Sequence, residues 1–198
     1  MDFDLILPPP VPAYQNLTEI AALWQHVAAR PHARVLEVGS LFGGTLWYWA
    51  HLPAIELLVT VDLPSDWPQV ADGVRDARQH WHGWFSPHCQ FVDVQGDSHA
   101  AQTYDHVVDV LADTPTAPLF DFMFIDGDHT YDGVRNDWLI WSTLLRPGGI
   151  VAFHDTWPNH DRHEPGVVRW CDELRHHFPS IEWTDPDGVG ITLFTTPK

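Results

Sequence analysis

Five short apolar runs, each closing on a polar or glycine residue and each followed by a stretch of helical spacing, organise this chain. Val35-Leu36-Glu37-Val38-Gly39 predicts a first strand, with a helix opening near Gly44-Thr45. Leu57 to Val61 continues to Asp62 and reads as a strand buried on both faces. Gln90 to Val94 is a weaker third strand leading into Gly96-Asp97-Ser98, and Phe120 to Ile125 is a fourth that ends at Asp126. Pro147-Gly148-Gly149 stops a helix and starts a fifth strand that ends at His154-Asp155.

Between and around these runs the spacing is helical. Asn16-Leu17-Thr18-Glu19 has the form of a capping box before Ile20, Leu23, Trp24 and Val27 on one face. Residues 68 to 85 and 100 to 112 read as helices, as do Val134, Trp138, Trp141 and Leu145, and later Val167, Cys171, Leu174 and Phe178. Ile181 to Thr184 and Val189 to Phe194, joined by Asp185-Pro186-Asp187-Gly188, predict a terminal hairpin. The alternation makes this an α/β chain: a doubly wound, mostly parallel sheet of seven strands, closed by a C-terminal antiparallel hairpin. Its 198 residues fit one domain, 1–198, with residues 1–30 as an N-terminal segment and helix packed on it.

Charge narrows the partners. Lys and Arg number 10 against 27 Asp and Glu, a formal net charge of −17. A surface so acidic argues against nucleic acid or an anionic membrane as the principal partner, since both call for a cationic face. Cys89 and Cys171 stand far apart, without the spacing of a disulfide framework or a zinc knuckle. The first residues carry acids where a signal peptide needs positive charge, so a cytoplasmic protein is expected.

In an open α/β sheet, ligands bind beyond the carboxyl ends of the strands. Here those ends carry Asp62, Asp126, His154 and Asp155, and desolvated charge at such places is costly unless a metal, proton or ligand uses it. The loop Gly39-Ser40-Leu41-Phe42-Gly43-Gly44 permits a tight turn and close approach to an anion at a helix N-terminus. It lacks the Gly-x-Gly-x-x-Gly pattern, so a pyrophosphate dinucleotide is disfavoured against a smaller ligand. The plainer alternative is that these glycines only turn the chain. Asp62 stands where an acid commonly takes ribose hydroxyls.

Five segments in this order carry a resemblance: Glu37-x-Gly39-x-x-x-Gly43-Gly44, Asp62, Gly96-Asp97-Ser98, Ile125-Asp126-Gly127-Asp128-His129-x-Tyr131, and Pro147-Gly148-Gly149-x-x-x-Phe153-His154-Asp155. Together they resemble the class I S-adenosylmethionine-dependent methyltransferases, with a Rossmann-like sheet, and within them the small metal-associated O-methyltransferase-like branch that includes sugar and macrolide methyltransferases. The resemblance implies that Glu37, Gly39 and Gly43 shape the pocket for the methionine part of S-adenosylmethionine. It implies that Asp62 accepts from both ribose hydroxyls, that Asp97 and Ser98 lie beside the adenine, and that Asp126 borders the cofactor. For Asp97 and Ser98 a plain Asx turn competes with that role.

By the same resemblance, Asp126, His154 and Asp155 hold a divalent metal. Mg²⁺ prefers oxygen donors. His154 replaces an acid of several relatives and suits Mn²⁺, Fe²⁺ or Zn²⁺ better. The alternative is that His154 and Asp155 pair and orient each other. A hydroxyl acceptor needs a base or a metal, and Asp128 and His129 are the candidate bases. Tyr131 reads as structural. The polar segment from Asp155 to Pro165, with His160 and His163, is placed to select the acceptor. His80, His82, His88 and Cys89 have zinc-compatible types without zinc spacing, and a surface reading is preferred. Trp47, Trp49, Trp81, Trp84, Trp138 and Trp141 suit core or dimer contact, so a homo-oligomer is a possible state. The expected activity is methylation of a small-molecule hydroxyl on a sugar or secondary metabolite. A nucleotide-dependent oxidoreductase and a non-catalytic cofactor-binding module are the competing readings.

Overall fold

The computed structural model describes residues 3–29, 34–113, 119–157 and 166–198. Seven strands form one sheet: β1 (Arg34–Val38), β2 (Leu57–Asp62), β3 (Gln90–Gln95), β4 (Phe120–Ile125), β5 (Leu145–His154), β6 (Ser180–Trp183) and β7 (Ile191–Thr195). Their order is β3-β2-β1-β4-β5-β7-β6. The pairs from β3 to β5 are parallel, and β7 runs antiparallel to both β5 and β6. The hairpin therefore contributes one antiparallel strand, as its turn residues predict.

Among the described residues six α-helices cover the sheet: α1 (Leu17–Ala28), α2 (Gly44–Ala50), α3 (Val74–Trp81), α4 (Ala101–Ala112), α5 (Tyr131–Trp141) and α6 (Gly166–Arg175). Strand alternation sends Leu36, Val38, Val59 and Val151 to a core shared with α4, α5 and α6. Val35, Leu58, Phe122 and Ala152 go to a second core under α1, α2 and Trp81. Both faces are covered, which is why β1, β2 and β4 are near-continuous apolar runs. Trp49, Trp81 and Trp141 are fully buried, Trp138 is nearly so, and Trp47 meets Trp84 edge-on at 5.7 Å. These rings pack within the fold.

Several boundaries differ from the sequence pattern. The helix expected over 68–85 is confined to α3 and a 3-10 turn at His82–Trp84, because Gly73 in a left-handed conformation (φ 89°) caps its start. Leu145 keeps helical spacing with Trp141 but begins β5, opposite Phe120, and an irregular register between Phe120 and Phe122 accommodates Pro147-Gly148-Gly149. Asn16 does cap α1, accepting from the Thr18 and Glu19 amides. Glu19, though, does not complete the capping box. It is buried and accepts from the backbone N–H of Asp185 and Gly190, tying α1 to the loop between β6 and β7. Those amides would otherwise be orphaned, and burial raises the Glu19 pKa despite them.

The strand order reverses between β1 and β4, and the crevice outside their carboxyl ends is where an open sheet takes its ligand. Gly39 sits in it at φ 83°, and a Cβ there would lie 2.2 Å from the Asp126 carbonyl oxygen. Gly39→Ala therefore meets both backbone strain and a backbone clash. We expect it to cost at least about 3 kcal/mol of stability in urea denaturation.

Candidate active site

The first strand end places Glu37 beneath the crevice rather than in it. Its carboxylate is fully buried and accepts from Thr45 Oγ1 at 2.8 Å and from Trp49 Nε1, both on α2. Burial pushes its pKa up to about 8, against the opposing hydrogen bonds from Thr45, Ser40 and Trp49. Glu37 thus shapes the glycine loop from below, by fixing α2. A folded-state pKa above the unfolded one means the group favours folding at low pH and loses that contribution as pH rises through about 8. Between about pH 5 and about pH 8 the folded chain keeps a proton that the unfolded chain has released, so stability should fall there by up to about 1.4 kcal/mol for each pH step of one. Glu37→Gln should flatten that slope in thermal melts.

Gly43 caps α2 in a left-handed conformation against the Trp81 indole, whose Nε1 donates to the Phe42 carbonyl at 3.0 Å. Beside it, Gly44 lies under Pro12 and Ala13, where a Cβ would come within 2.5 Å of their backbone. The N-terminal segment therefore lies against the glycine loop. Tyr14 meets Phe42 at 6.1 Å, and Gln15 donates from Nε2 to Asp126 Oδ2 at 2.9 Å. Sequence reasoning misses Gln15. It follows a proline-rich stretch, and no spacing in the chain links it to Asp126.

At the end of β2, Asp62 organises the same loop. Its Oδ2 accepts from the backbone N–H of Ser40 (3.2 Å) and Leu41 (2.7 Å), and its Oδ1 from Leu63 (2.7 Å). Arg78, nearly buried on α3, places Nη2 3.3 Å from Asp62 Oδ2 and donates to the Leu63 carbonyl at 2.9 Å. This guanidinium is missed as well, since a lone arginine on a helix gives no sequence signal. Next along the edge, Asp97 is exposed, and its Oδ1 accepts from the His99 amide at 2.8 Å, the Asx turn weighed against an adenine contact. Ser98, half-buried, lies in the same turn.

Across the switch point, β4 and β5 bring four predicted residues together. His154 Nδ1 lies 3.2 Å from Asp126 Oδ1 and 3.0 Å from Asp155 Oδ2. His129 Nε2 lies 3.3 Å from Asp126 Oδ1 and 3.4 Å from Asp155 Oδ2. Burial alone would raise the Asp126 pKa, but the His154 and His129 imidazoles overcome it and hold the carboxyl well below the usual range. Burial opposes charge on His154, yet Asp126 and Asp155 raise its pKa; the hydrogen bond to Asp126 raises that of His129. Asp155 takes φ 60°, a backbone conformation uncommon outside glycine and found at functional sites.

Asp128 goes elsewhere. Its Oδ1 accepts from the Thr130 amide at 2.9 Å and its carboxylate lies against Gly133, so it shapes the N-terminus of α5. Tyr131 is structural: its hydroxyl donates to Glu173, and the Arg169 guanidinium lies 3.8 Å over its ring. The loop histidines His160 and His163 lie outside the described residues. Cys89 is buried while His80, His82 and His88 are exposed, and His82 packs edge-on to Phe91, as a surface reading expects.

Among the described residues, Asp126, His154 and Asp155 offer three donor atoms within 4.8 Å of one another. The donors fit a divalent cation, with His154 Nδ1 turned toward both carboxylates and its buried Nε2 without a hydrogen-bond partner. A mixed oxygen–nitrogen set suits Mn²⁺, Fe²⁺ or Zn²⁺ better than Mg²⁺. The cation would have to displace the proton that the carboxylates draw to His154.

Solved structures of similar fold include a protein of Staphylococcus aureus provisionally named a caffeoyl-CoA O-methyltransferase, with TM-score 0.69, 16% identity, and 94% of this chain and 86% of that one covered. The O-methyltransferase from Bacillus cereus, solved with S-adenosylhomocysteine, aligns with TM-score 0.61, 17% identity and 98% and 86% coverage. MycE methyltransferase of mycinamycin biosynthesis, solved with Mg, S-adenosylhomocysteine and mycinamycin VI, aligns with TM-score 0.60, 16% identity and 100% and 55% coverage. At these identities the likeness is one of fold. An uncharacterised Sinorhizobium fredii (strain NBRC 101917 / NGR234) protein, y4gI, is 25% identical over 87% of this chain, which spans 18% of that protein's length. A family model described as a methyltransferase domain matches residues 36–156, from β1 past Asp155. The matched span holds the carboxyl ends of β1, β2, β4 and β5, and the chain belongs to this methyltransferase-domain family.

Proposed function

We propose that this domain transfers the methyl group of S-adenosylmethionine to a hydroxyl of a small-molecule acceptor, a sugar or secondary metabolite. The observation that carries the reading is the placement of Asp62 and the Asp126–His129–His154–Asp155 cluster on the two sides of one switch point, joined through Gly39. The Bacillus cereus enzyme binds S-adenosylhomocysteine, and MycE binds Mg, S-adenosylhomocysteine and mycinamycin VI, on a similar fold. The missing Gly-x-Gly-x-x-Gly and the terminal hairpin count against a nucleotide-dependent oxidoreductase.

In this reading Asp62 accepts the ribose hydroxyls, and the loop from Gly39 to Gly44 takes the methionine end. A sulfonium already carries a good leaving group, so the protein's task is to align the acceptor oxygen with the methyl carbon and remove one proton. His129, half-exposed, turns Nε2 to Asp126 and Asp155, so that nitrogen carries the hydrogen and Nδ1 is left to receive that proton. Gln15 fixes the second oxygen of Asp126. A divalent cation held by Asp126, His154 and Asp155 would lower the pKa of the acceptor hydroxyl.

The test is methyl-radiolabelled S-adenosylmethionine with a panel of hydroxylated sugars, macrolides and phenols. Label stable to mild alkali on a hydroxyl compound is expected; transfer confined to amines or thiols would contradict the hydroxyl assignment. Chelation should abolish turnover of a metal-loaded preparation while leaving S-adenosylhomocysteine affinity nearly unchanged, because the cofactor is anchored from β1 and β2. Full turnover in chelator, with no metal recovered by elemental analysis, would leave the cluster as an acid–base device.

A further inference from the structure

Asp137 on α5 is a carboxylate with no solvent exposure, and neither of its oxygens has a well-aligned hydrogen-bond donor. A charge in such a place is costly, so its presence asks for a reason. The titratable group facing it is His99, whose Nε2 lies 3.1 Å from Asp137 Oδ1 and is hydrogen-bonded to the Gly133 carbonyl at 3.2 Å. Asp137 also reaches the switch point from below, since a Cβ on Gly127 would lie 3.1 Å from its Oδ2.

His99 belongs to the turn between β3 and α4, and its two ends do different things. The backbone N–H donates to Asp97 Oδ1 at 2.8 Å, while the ring faces Asp137. The same turn is held on its other side by the Gly96 amide, which donates to the Asp62 carbonyl at 2.9 Å. The turn that carries Asp97 and Ser98 is thus clamped between the Asp62 strand end and the buried Asp137 carboxyl on α5. Asp137 and Asp97 are the acids that face His99, from α5 and from its own turn, and both favour its charged form.

We infer that Asp137 and His99 form a positioning pair that sets the turn bearing Asp97 and Ser98 for the adenine end of the cofactor. Neither residue touches the reacting atoms. Asp137 acts through His99, and His99 acts by holding the Asp97 carboxylate in place. This rests on the cofactor reading proposed above and adds to it the device that shapes one end of the pocket. The sequence contains no pattern that pairs the two residues, since 38 positions and one strand separate them.

The experiment is calorimetric titration of Asp137→Asn, His99→Gln and the double variant with S-adenosylhomocysteine and with 5′-methylthioadenosine, which keeps the adenosine end alone. Each single variant should weaken both ligands by a similar factor, on the order of 3- to 30-fold. The double variant should be no worse than the weaker single one, because the pair acts as a unit. Hydrogen exchange should quicken at the amides of Asp97 to Ala100 and stay unchanged in β1 and β4. His99 is partly exposed, so His99→Gln tests the pair even if Asp137→Asn fails to fold. Unaltered affinity in His99→Gln, or a double variant whose loss is the product of the two single losses, would overturn the pair while leaving the cofactor reading intact. If the unaltered protein binds neither ligand, the cofactor reading falls, and the pair's role with it.

Discussion

Replacing Asp62 by alanine should weaken S-adenosylhomocysteine by about 10- to 100-fold, the equivalent of one charged hydrogen-bond set of roughly 1.5–3 kcal/mol. Two losses combine in this variant. The ribose hydroxyls lose their acceptor, and the amides of Ser40 and Leu41 lose the carboxylate that gives the glycine loop its shape. Asp62→Asn separates them, because an amide oxygen can still accept from Ser40 and Leu41 while its NH₂ can accept neither from a hydroxyl nor from the Leu63 amide. The asparagine variant should be more thermally stable than Asp62→Ala and still bind poorly. Normal affinity in both variants, with lowered stability in Asp62→Ala, would confine Asp62 to a structural role and move the ribose elsewhere. Arg78 pairs with the same carboxylate, so Arg78→Ala should weaken binding in the same direction by a smaller factor.

The second large effect is on turnover. His129→Gln should lower kcat by about 10²- to 10⁴-fold with an identified hydroxyl acceptor, as expected when a positioned base is removed. Asp128→Asn should stay near the unaltered rate, because Asp128 serves the turn before α5, where an asparagine oxygen still accepts from Thr130. From the sequence the two residues are adjacent and chemically equivalent candidates. The backbone separates their positions: the Asx turn that starts α5 draws Asp128 onto Gly133 and leaves His129 facing Asp126 and Asp155, which is why His129 is the proposed base. Equal loss in both variants would mean that the geometry of the turn, rather than a proton acceptor, is what His129 supplies. Cofactor affinity should be unchanged in His129→Gln, which distinguishes lost chemistry from lost binding.

What the chain discloses in advance follows its periodicities. Strand ends are legible where an apolar run gives way to a charged or titratable side chain, and Asp62, Asp126 and His154 mark such ends. The switch point is legible through Gly39, whose freedom from a side chain is required where β1 and β4 converge. Partners outside those elements are not legible. Gln15 reaches Asp126 across 111 positions and Arg78 reaches Asp62 from a helix, and neither contact leaves a local trace. Glu37 is legible as a pocket residue only by resemblance; its carboxylate turns to Thr45 and Trp49 because α2 starts directly after the glycine loop. Glu19 matches a capping pattern whose competitor, the amides of Asp185 and Gly190, lies at the other end of the chain.

The central claim is that the crevice between β1 and β4 holds S-adenosylmethionine. Calorimetric titration of the unaltered full chain with S-adenosylhomocysteine, in chelator and then with Mn²⁺, tests it most directly. Saturable one-to-one binding of similar affinity in both conditions, with no competition from NAD, is the predicted result. No binding of S-adenosylhomocysteine in either condition, or saturable binding of NAD in its place, would contradict it.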